Sequence, residues 1–447
     1  MDSLYEFQLK QHIGVPAVPV VKTGDAVKRG QLIAQKPEGK MGAYLYSSVS
    51  GTVTEVTGEA IRIAEKETDY SDYIPLKGSD PMELVEKSGL VGLGGAGFPT
   101  YIKLQTKLTP SGTVIINAAE CEPVLMHNIS HIESKPEELL KALELIMQIL
   151  SVSQGIIAIK AKHEKAVFAL KTALRAAYRT DENQKNEKIR IHELPDLYPM
   201  GEERAIIREV KDRLLLTEEL PSAADAVVIN AETAFRLYEA VIFKKPLIDK
   251  DITVAGKLKD NAAIKVLTDV PIGKSVGDVF QMAGGLGTEY GELIMGGPYT
   301  GSRTQENAPV LKTTGGLIAA ECFPKGPEQI GLLVCACGAG KDRLEEIAVS
   351  LGSHVAGVEY CKQALAKGNA LKCENPGHCP GQAGKVIALK KAGAQALLIS
   401  NCTDCSNTVM ACAPQLGLPV YHCTDGALRS VNQKLIRKMH SEQETQK

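Results

Sequence analysis

The chain has 447 residues, enough for about three domains, and its 44% hydrophobic and 23% charged content is that of a globular protein. A net charge of −2 gives no support for a nucleic-acid or anionic-membrane partner, and 4% aromatic content without Trp argues against a base-stacking platform. No apolar run approaches the roughly 20 residues of a bilayer span, and the opening MDSLYEFQLKQ lacks signal-peptide architecture, so a soluble cytoplasmic protein is expected.

Residues 1–75 are rich in Val, Gly, Thr and Ser. The segments VKTGDAVKRGQLIAQ, SSVSGTVTEV and AIRIA read as short strands, with turns expected at Gly24-Asp25, Gly30, Gly51 and Gly58. This pattern resembles the barrel-sandwich domain of biotinyl and lipoyl carriers, which present a modified Lys on a hairpin. Lys36 and Lys40 are available, but the usual flanking Met pair is missing, so a scaffold role is the expectation.

Residues 76–250 read as an α/β domain. A helix is expected over 81–88, then the stretch SGLVGLGGAGFPTYIKL at 88–104. Gly92, Gly94, Gly95 and Gly97 leave bare backbone N–H groups that can wrap a phosphate, and Pro99 suits the first turn of a following helix. The spacing matches G-x-G-x-x-G, yet a helix rather than a strand precedes it, so a Rossmann turn is not expected. Strands follow at 114–117, 155–160, 189–193 and 227–230, with amphipathic helices at 137–150 and 164–178. The polar run TDENQKNEK at 180–188 reads as a solvated loop. Residues 251–328 hold a small module and connector: a strand and turn in ITVAGKLKD, a helix over 276–283, a strand into the glycine turn of LIMGGPYTG, and a linker from 304.

Residues 329–447 repeat strand, loop and helix, with strands at 330–335, 354–359, 396–400 and 419–422 and helices at 341–351, 381–392, 407–416 and 426–439. That order implies a parallel sheet. Nine of the 11 cysteines fall here: Cys335, Cys337, Cys361, Cys373, Cys379, Cys402, Cys405, Cys412 and Cys423. In a cytosolic chain such crowding points to redox or metal chemistry rather than structural disulfides. Apart from Cys412, inside a helix and read as a small hydrophobe, the positions follow strand ends or precede helices, the edge where ligands gather in a parallel sheet. Cys402-Thr-Asp-Cys405 is a CxxC at an expected helix N-terminus, which favours thiolates, and Cys335-Ala-Cys337 sits similarly. Two chemistries remain open: a thiol–disulfide path through Cys402, Cys405, Cys335 and Cys337, or an iron–sulfur cluster with Cys361, Cys373, Cys379 and Cys423 as alternative ligands. His378 reads as a solvated loop residue.

With these residues in view, the chain resembles the flavoproteins that include the Rnf complex C subunit and the NADH-binding 51-kDa subunit of respiratory complex I. The likeness runs through GLGGAGFPTYIKL, NAAECEPVLMHN (117–128), YPMGEERAIIREV (198–210), VVINAETAFRLYEAV (227–241), KPLIDKDITVAG (245–256), a ubiquitin-like SLBB segment GKSVGDVFQMAGGL (273–286) and MGGPYTG (295–301). The resemblance implies FMN as cofactor and NADH as donor. It implies that the glycine loop and Phe98 face flavin and dinucleotide, with Lys103 as a nearby cation. It further implies that Asn117, Glu120, Glu122, Gly201, Glu202 and Glu203 wall the pocket, and that Asn230 and Thr233 hold ribityl or phosphate. The tail departs from both relatives and is most similar to the proline reductase-associated electron-transfer protein (PrdC type), which implies a D-proline reductase as partner. Transfer to thiols needs near contact, so a domain motion is expected to bring the tail to the flavin. Two other readings stand beside this one, electron transfer from FMN to an iron–sulfur cluster and a docking scaffold with a decayed flavin site.

Overall fold

A computed structural model describes residues 3–178, 188–261, 263–368 and 370–437; most of the expected 180–188 loop lies outside them. The chain is a mixed α/β multidomain protein that begins with a β barrel-sandwich. There the strands Leu4–Gln8, Ala60–Glu65, Gly51–Val56 and Ala26–Val27 form one antiparallel sheet, and Val18–Pro19, Leu32–Gln35 and Leu45–Tyr46 another. Alternation puts Tyr5, Phe7, Ile61 and Ile63 into a shared core. Gly51 is not a turn residue as expected. It opens a strand, and a Cβ there would lie 2.1 Å from the Ala64 carbonyl oxygen, so the close approach of the paired strand requires glycine. Lys36 is tied to Glu86 at 2.8 Å and lies over the Tyr101 ring, whereas Lys40 is exposed.

The second region is a parallel sheet in the order Ile189–Leu194, Gln154–Lys160, Thr113–Ala118, Ala226–Asn230. Both faces of these strands are apolar because both are covered. Ile116, Ile157 and Ile229 meet the helices Pro136–Leu150, Glu164–Ala177 and Ala231–Tyr238, while Ile115, Ala158 and Val228 meet Glu203–Lys211. The chain starts this sheet at Thr113–Ala118 and later returns to its other side with Ala226–Asn230. The strand order therefore reverses between the two, which opens a crevice at their carboxyl ends.

The third sheet runs Ile264–Pro271, Asp249–Gly256, Gly316–Ala320, Glu292–Met295, Ser302–Thr304, with the helix Val276–Met282 packed on it. The segment after 304 is thus more than a connector: Gly316–Ala320 is a fully buried central strand.

In the tail the parallel order is His354–Tyr360, Gln329–Val334, Ala396–Ile399, Val420–His422. Its helices are Lys341–Leu351, Ala383–Lys391, Thr403–Cys412 and Asp425–Ser430. The helix expected over 426–439 ends at Ser430, where Val431 leaves helical geometry and Asn432 takes a left-handed φ of 54°. A hairpin of Ala364–Lys367 and Ala370–Cys373 was not anticipated. The tail shares one core with the third sheet, in which Val334, Leu398 and Leu428 pack with Ile318, Ala320 and Ile294.

Candidate functional site

The crevice in the second sheet is marked by a pair of asparagines, Asn117 and Asn230, which are register partners at the carboxyl ends of adjacent strands. Above them the stretch 88–104 forms a tight loop. Gly92 N–H donates to Phe98 O at 2.8 Å, Val91 bridges Pro99, and Gly97 adopts φ 71°. The loop leaves Gly94, Gly95 and Ala96 exposed. The helix that follows, Thr100–Leu104, has five residues, and Pro99 precedes it as N-cap rather than lying in its first turn. Its dipole is correspondingly short, and the bare loop amides are the main donors here.

Between loop and sheet lies a cavity of about 570 Å³. Gly92, Gly94, Gly95, Gly97, Phe98, Lys103, Asn117, Gly201, Glu202, Glu203, Asn230 and Thr233 all line it. Several are already engaged. Asn230 Oδ1 caps the helix Ala231–Tyr238 by accepting from Thr233 N at 3.2 Å, Thr233 Oγ1 accepts from Leu93 N at 3.0 Å, and Asn117 Nδ2 donates to Gly201 O at 2.9 Å. Lys103 Nζ pairs with Glu203 and donates to Val228 O at 2.9 Å, so its charge is balanced within the wall. Glu202 caps the helix Glu203–Lys211.

Glu120 and Glu122 do not line this cavity, although Glu122 lines the smaller one beside it. Glu120 turns away from the cavity, its carboxylate accepting from Asn128 N at 3.0 Å in the first turn of the helix His127–Ser134. Glu122 accepts from Tyr299 N at 2.8 Å, Thr300 N at 2.9 Å and Thr300 Oγ1 at 2.6 Å, and so clamps the turn after Glu292–Met295; burial raises its pKa. Several further lining residues, Thr100 among them, lie outside the expected set. Thr100 Oγ1 is buried with no hydrogen-bond partner among the described residues.

A second cavity, about 360 Å³, adjoins the first, and Gly94, Gly201, Glu202, Glu203, Leu220 and Pro221 line both. Its opposite wall belongs to the tail: Cys337, Lys372 and Cys373. No domain motion is needed to bring tail and crevice together. Tyr198 stacks on Tyr299 with ring centroids 3.6 Å apart, donates its N–H to Thr403 Oγ1 while accepting from Thr403 N at its carbonyl, and donates its hydroxyl to Cys337 O. Arg204 donates to Cys373 O, and Arg208 reaches Asn375 Oδ1 and Pro376 O at 2.7 Å each.

The cysteines sit as the turn positions foretold, but their acidities are distributed otherwise. Cys402 and Cys405 occupy the N-terminus of Thr403–Cys412, yet their thiols are pushed up, because both donate to the sulfur of Cys335. Cys335 is held well below the ordinary thiol range by donation from Cys337, Cys361, Cys402 and Cys405. Cys337 is raised and Cys361 is raised to about 12, each first by its bond to Cys335. Cys379 is lowered to about 6, chiefly by the Cys405 thiol and then by Thr408, Gln382 and Gly381. Cys423 packs against His422 Nδ1 at 3.7 Å, Cys412 bonds carbonyls of its own helix, and His378 is exposed. Among the described residues no group of three or more His, Cys, Asp or Glu side chains is arranged to hold a single metal ion. Alkylation of Cys379, followed by peptide mass spectrometry, should reach half its maximal rate near pH 6. An unperturbed thiol would do so near pH 8.5, and a midpoint there would contradict the assignment.

Comparison with known proteins adds family information. Residues 2–70 match the RnfC barrel sandwich hybrid domain and residues 85–239 the Nuo51 FMN-binding domain. The chain is 31% identical over 331 residues to the C subunit of the proton-translocating ferredoxin:NAD(+) oxidoreductase complex of Clostridium ljungdahlii, covering 69% of each chain. It is 31% identical over 339 residues to the C subunit of the Na(+)-translocating ferredoxin:NAD(+) oxidoreductase complex of Acetobacterium woodii, covering 71% of this chain and 73% of that one. The cobalamin reductase PduS of Citrobacter freundii is 36% identical over 237 residues, 53% of this chain and 49% of that protein. No helix among the described residues is long and apolar enough to cross a membrane.

Proposed function

Because this chain belongs to the family of Rnf complex C subunits, within the flavoprotein superfamily of the complex I 51-kDa subunit, we propose that it oxidises NADH at an FMN held in the larger cavity and passes the electrons to its own tail thiols. The chain is an oxidoreductase of this family with an FMN-binding domain. The observation that carries the proposal is that the two cavities share a wall, with the glycine loop lining the larger and Cys337 and Cys373 the far side of the smaller.

The residues present suit the cofactor. Thr100 Oγ1 is an unsatisfied buried hydroxyl on the cavity, and a Cβ added at Gly95 would meet nothing within 4 Å, so the main chain there stays bare toward the space. The loop amides would take phosphate, and Thr100 and Asn230 would take hydroxyls of the ribityl chain. FMN, when bound, supplies a ring that accepts a hydride from a nicotinamide and gives up the electron pair afterwards. The chain's part is to orient the donor, balance charge through Lys103 and Glu203, and keep sulfur close.

The names of the two ferredoxin:NAD(+) oxidoreductase relatives support a nicotinamide as redox partner, here taken in its reduced form as donor, and the cobalamin reductase is a relative named for a different acceptor. The acceptor proposed for this chain is a disulfide or a partner reductase, with D-proline reductase the candidate implied by the tail's resemblance. An anaerobic absorption spectrum tests the reading: protein supplied with FMN should show flavin bands that bleach on adding NADH. A chain that retains no FMN after reconstitution overturns it, and iron-linked visible absorbance would favour the cluster path instead. Replacing Cys402 and Cys405 together by serine should leave the flavin bands in place and lower NADH-dependent disulfide reduction at least about a hundredfold, a loss of about 3 kcal/mol in transition-state stabilisation.

A further inference from the structure

Seven tail thiols form one connected group, and its two ends lie in different surroundings. At one end Cys337 and Cys373 line the smaller cavity, with their sulfurs hydrogen-bonded to each other and their carbonyls pinned by Tyr198 and Arg204. Between the two ends the buried Cys335 meets Cys337, Cys361, Cys402 and Cys405. At the far end Cys405 meets Cys379, which is partly exposed.

The far end is built to carry negative charge on sulfur. Cys379 Sγ lies 3.3 Å from Thr408 Oγ1 and accepts from Gly381 N at 3.3 Å and Gln382 Nε2 at 3.4 Å. The same Gln382 amide also reaches Cys361 Sγ at 3.1 Å and Cys405 Sγ at 3.6 Å. Gln382 is fully buried and its Oε1 has no hydrogen-bond partner among the described residues, so the side chain is placed for its donors. A buried amide that turns its N–H groups on three sulfurs stabilises thiolate over thiol.

We propose that the tail is a directional dithiol–disulfide relay in which Cys337 and Cys373 are the entry pair at the flavin-domain cavity, Cys379 and Cys405 the exit pair, and Cys335 the link between them. Only the source of the electrons rests on the flavin reading above.

The chemistry balances at each step. Cys379 thiolate attacks an acceptor disulfide R–S–S–R; the S–S bond breaks, one RS⁻ leaves and a mixed disulfide forms. Cys405 attacks the Cys379 sulfur, releases the second RS⁻, gives up its proton to that leaving group and closes Cys379–Cys405. Cys335 then attacks Cys405 and frees Cys379. Cys337 attacks Cys335 and frees Cys405, and Cys373 attacks Cys337 and frees Cys335. Every internal exchange breaks one S–S bond and makes one. The acceptor is reduced to two thiols, and the oxidation ends as a Cys337–Cys373 disulfide, whose return to two thiols takes two electrons and two protons that a reduced flavin bound against this pair would supply.

The test uses the full chain, reduced and purified anaerobically without added flavin. One equivalent of the aromatic disulfide dithiobis(nitrobenzoate) is added, remaining thiols are alkylated after acid quench, and disulfides are mapped by mass spectrometry. The wild-type chain should release two thionitrobenzoates and end with Cys337–Cys373. Cys373→Ser should stop the disulfide at Cys335–Cys337 or Cys379–Cys405, and Cys379→Ser should slow thionitrobenzoate release at least tenfold. A wild-type end product joining other cysteines, an unaltered rate in Cys379→Ser, or zinc or iron bound stoichiometrically to the tail would each overturn the relay. The wild-type map needs no variant to fold. It also needs no flavin, so a chain that fails to bind FMN can still pass, and an NADH-oxidising flavoprotein can still fail.

Discussion

Gly95→Val should cost the chain its flavin while leaving its fold intact. A Cβ at this position would meet no protein atom within 4 Å, and Gly95 shows no left-handed φ, so valine introduces neither clash nor backbone strain. Its side chain would instead project into the space that the proposed cofactor fills. We expect FMN affinity to fall at least about a hundredfold, equivalent to about 3 kcal/mol, with a melting temperature within about 2 °C of wild type because surface changes of this kind stay within about 0.5 kcal/mol. Fluorimetric titration of FMN and thermal unfolding measure the two arms, and undiminished affinity would remove the loop from the site. Neighbouring glycines do not offer so clean an experiment. A Cβ at Gly94 would lie 2.5 Å from Asn230 Nδ2, and Gly97 combines φ 71° with contacts of about 3 Å to the main chain of Gln11 and His12, so substitution there disturbs the fold itself.

Lys250→Met should destabilise the protein by about 3–5 kcal/mol, the usual result of orphaning one member of a buried ion pair. Lys250 and Glu232 are 0% and 2% exposed and pair with each other. Glu232 also accepts from Asp251 N at 2.9 Å, and Asp251 in turn binds Arg236 at 2.7 Å and His131 at 2.7 Å. This network fastens the helix Ala231–Tyr238 to the third sheet, and that helix begins at the cavity with Asn230 and Thr233. A fall of roughly 10 °C in the first thermal transition is expected, taking about 2–4 °C per kcal/mol for a unit of this size, together with weaker flavin retention. Adding Glu232→Gln to Lys250→Met should recover much of the loss, since no unpaired charge then remains. A single variant as stable as wild type would show that the pair carries no such charge.

What the amino-acid pattern reveals here is mostly local. The four parallel strands of the second region and the four of the tail declare themselves as short apolar runs bounded by turn residues, and the cysteines declare themselves by following those runs. The strand Gly316–Ala320 escaped because its five residues, GLIAA, carry no periodic signal after the linker. The hairpin Ala364–Lys367 and Ala370–Cys373 escaped because its strands are short and largely exposed. Long-range partners were illegible for a different reason. Glu122 and the amides of Tyr299 and Thr300 meet across some 177 residues, so a carboxylate in a motif read as a pocket wall lines the smaller cavity and also clamps a distant turn. The thiols show the same limit. Helix position alone favoured Cys402 and Cys405 as thiolates, whereas mutual hydrogen bonding in the assembled cluster lowers Cys335 and Cys379 and raises Cys402 and Cys405. Thr100 could have been noted from its place directly after Pro99 in the glycine stretch, but its lack of a partner is visible only in three dimensions.

The stacked tyrosines 198 and 299, with the Thr403 and Cys337 bonds around them, bolt the sulfur-bearing sheet against the crevice wall. Carriers that ferry electrons on a tethered arm are slowed as the medium thickens, because each cycle includes a diffusive swing. A rigid abutment has no such stroke, so internal hand-off in this protein should proceed at the same pace in buffer and in concentrated glycerol, leaving encounter with outside reactants as the only viscosity-sensitive stage.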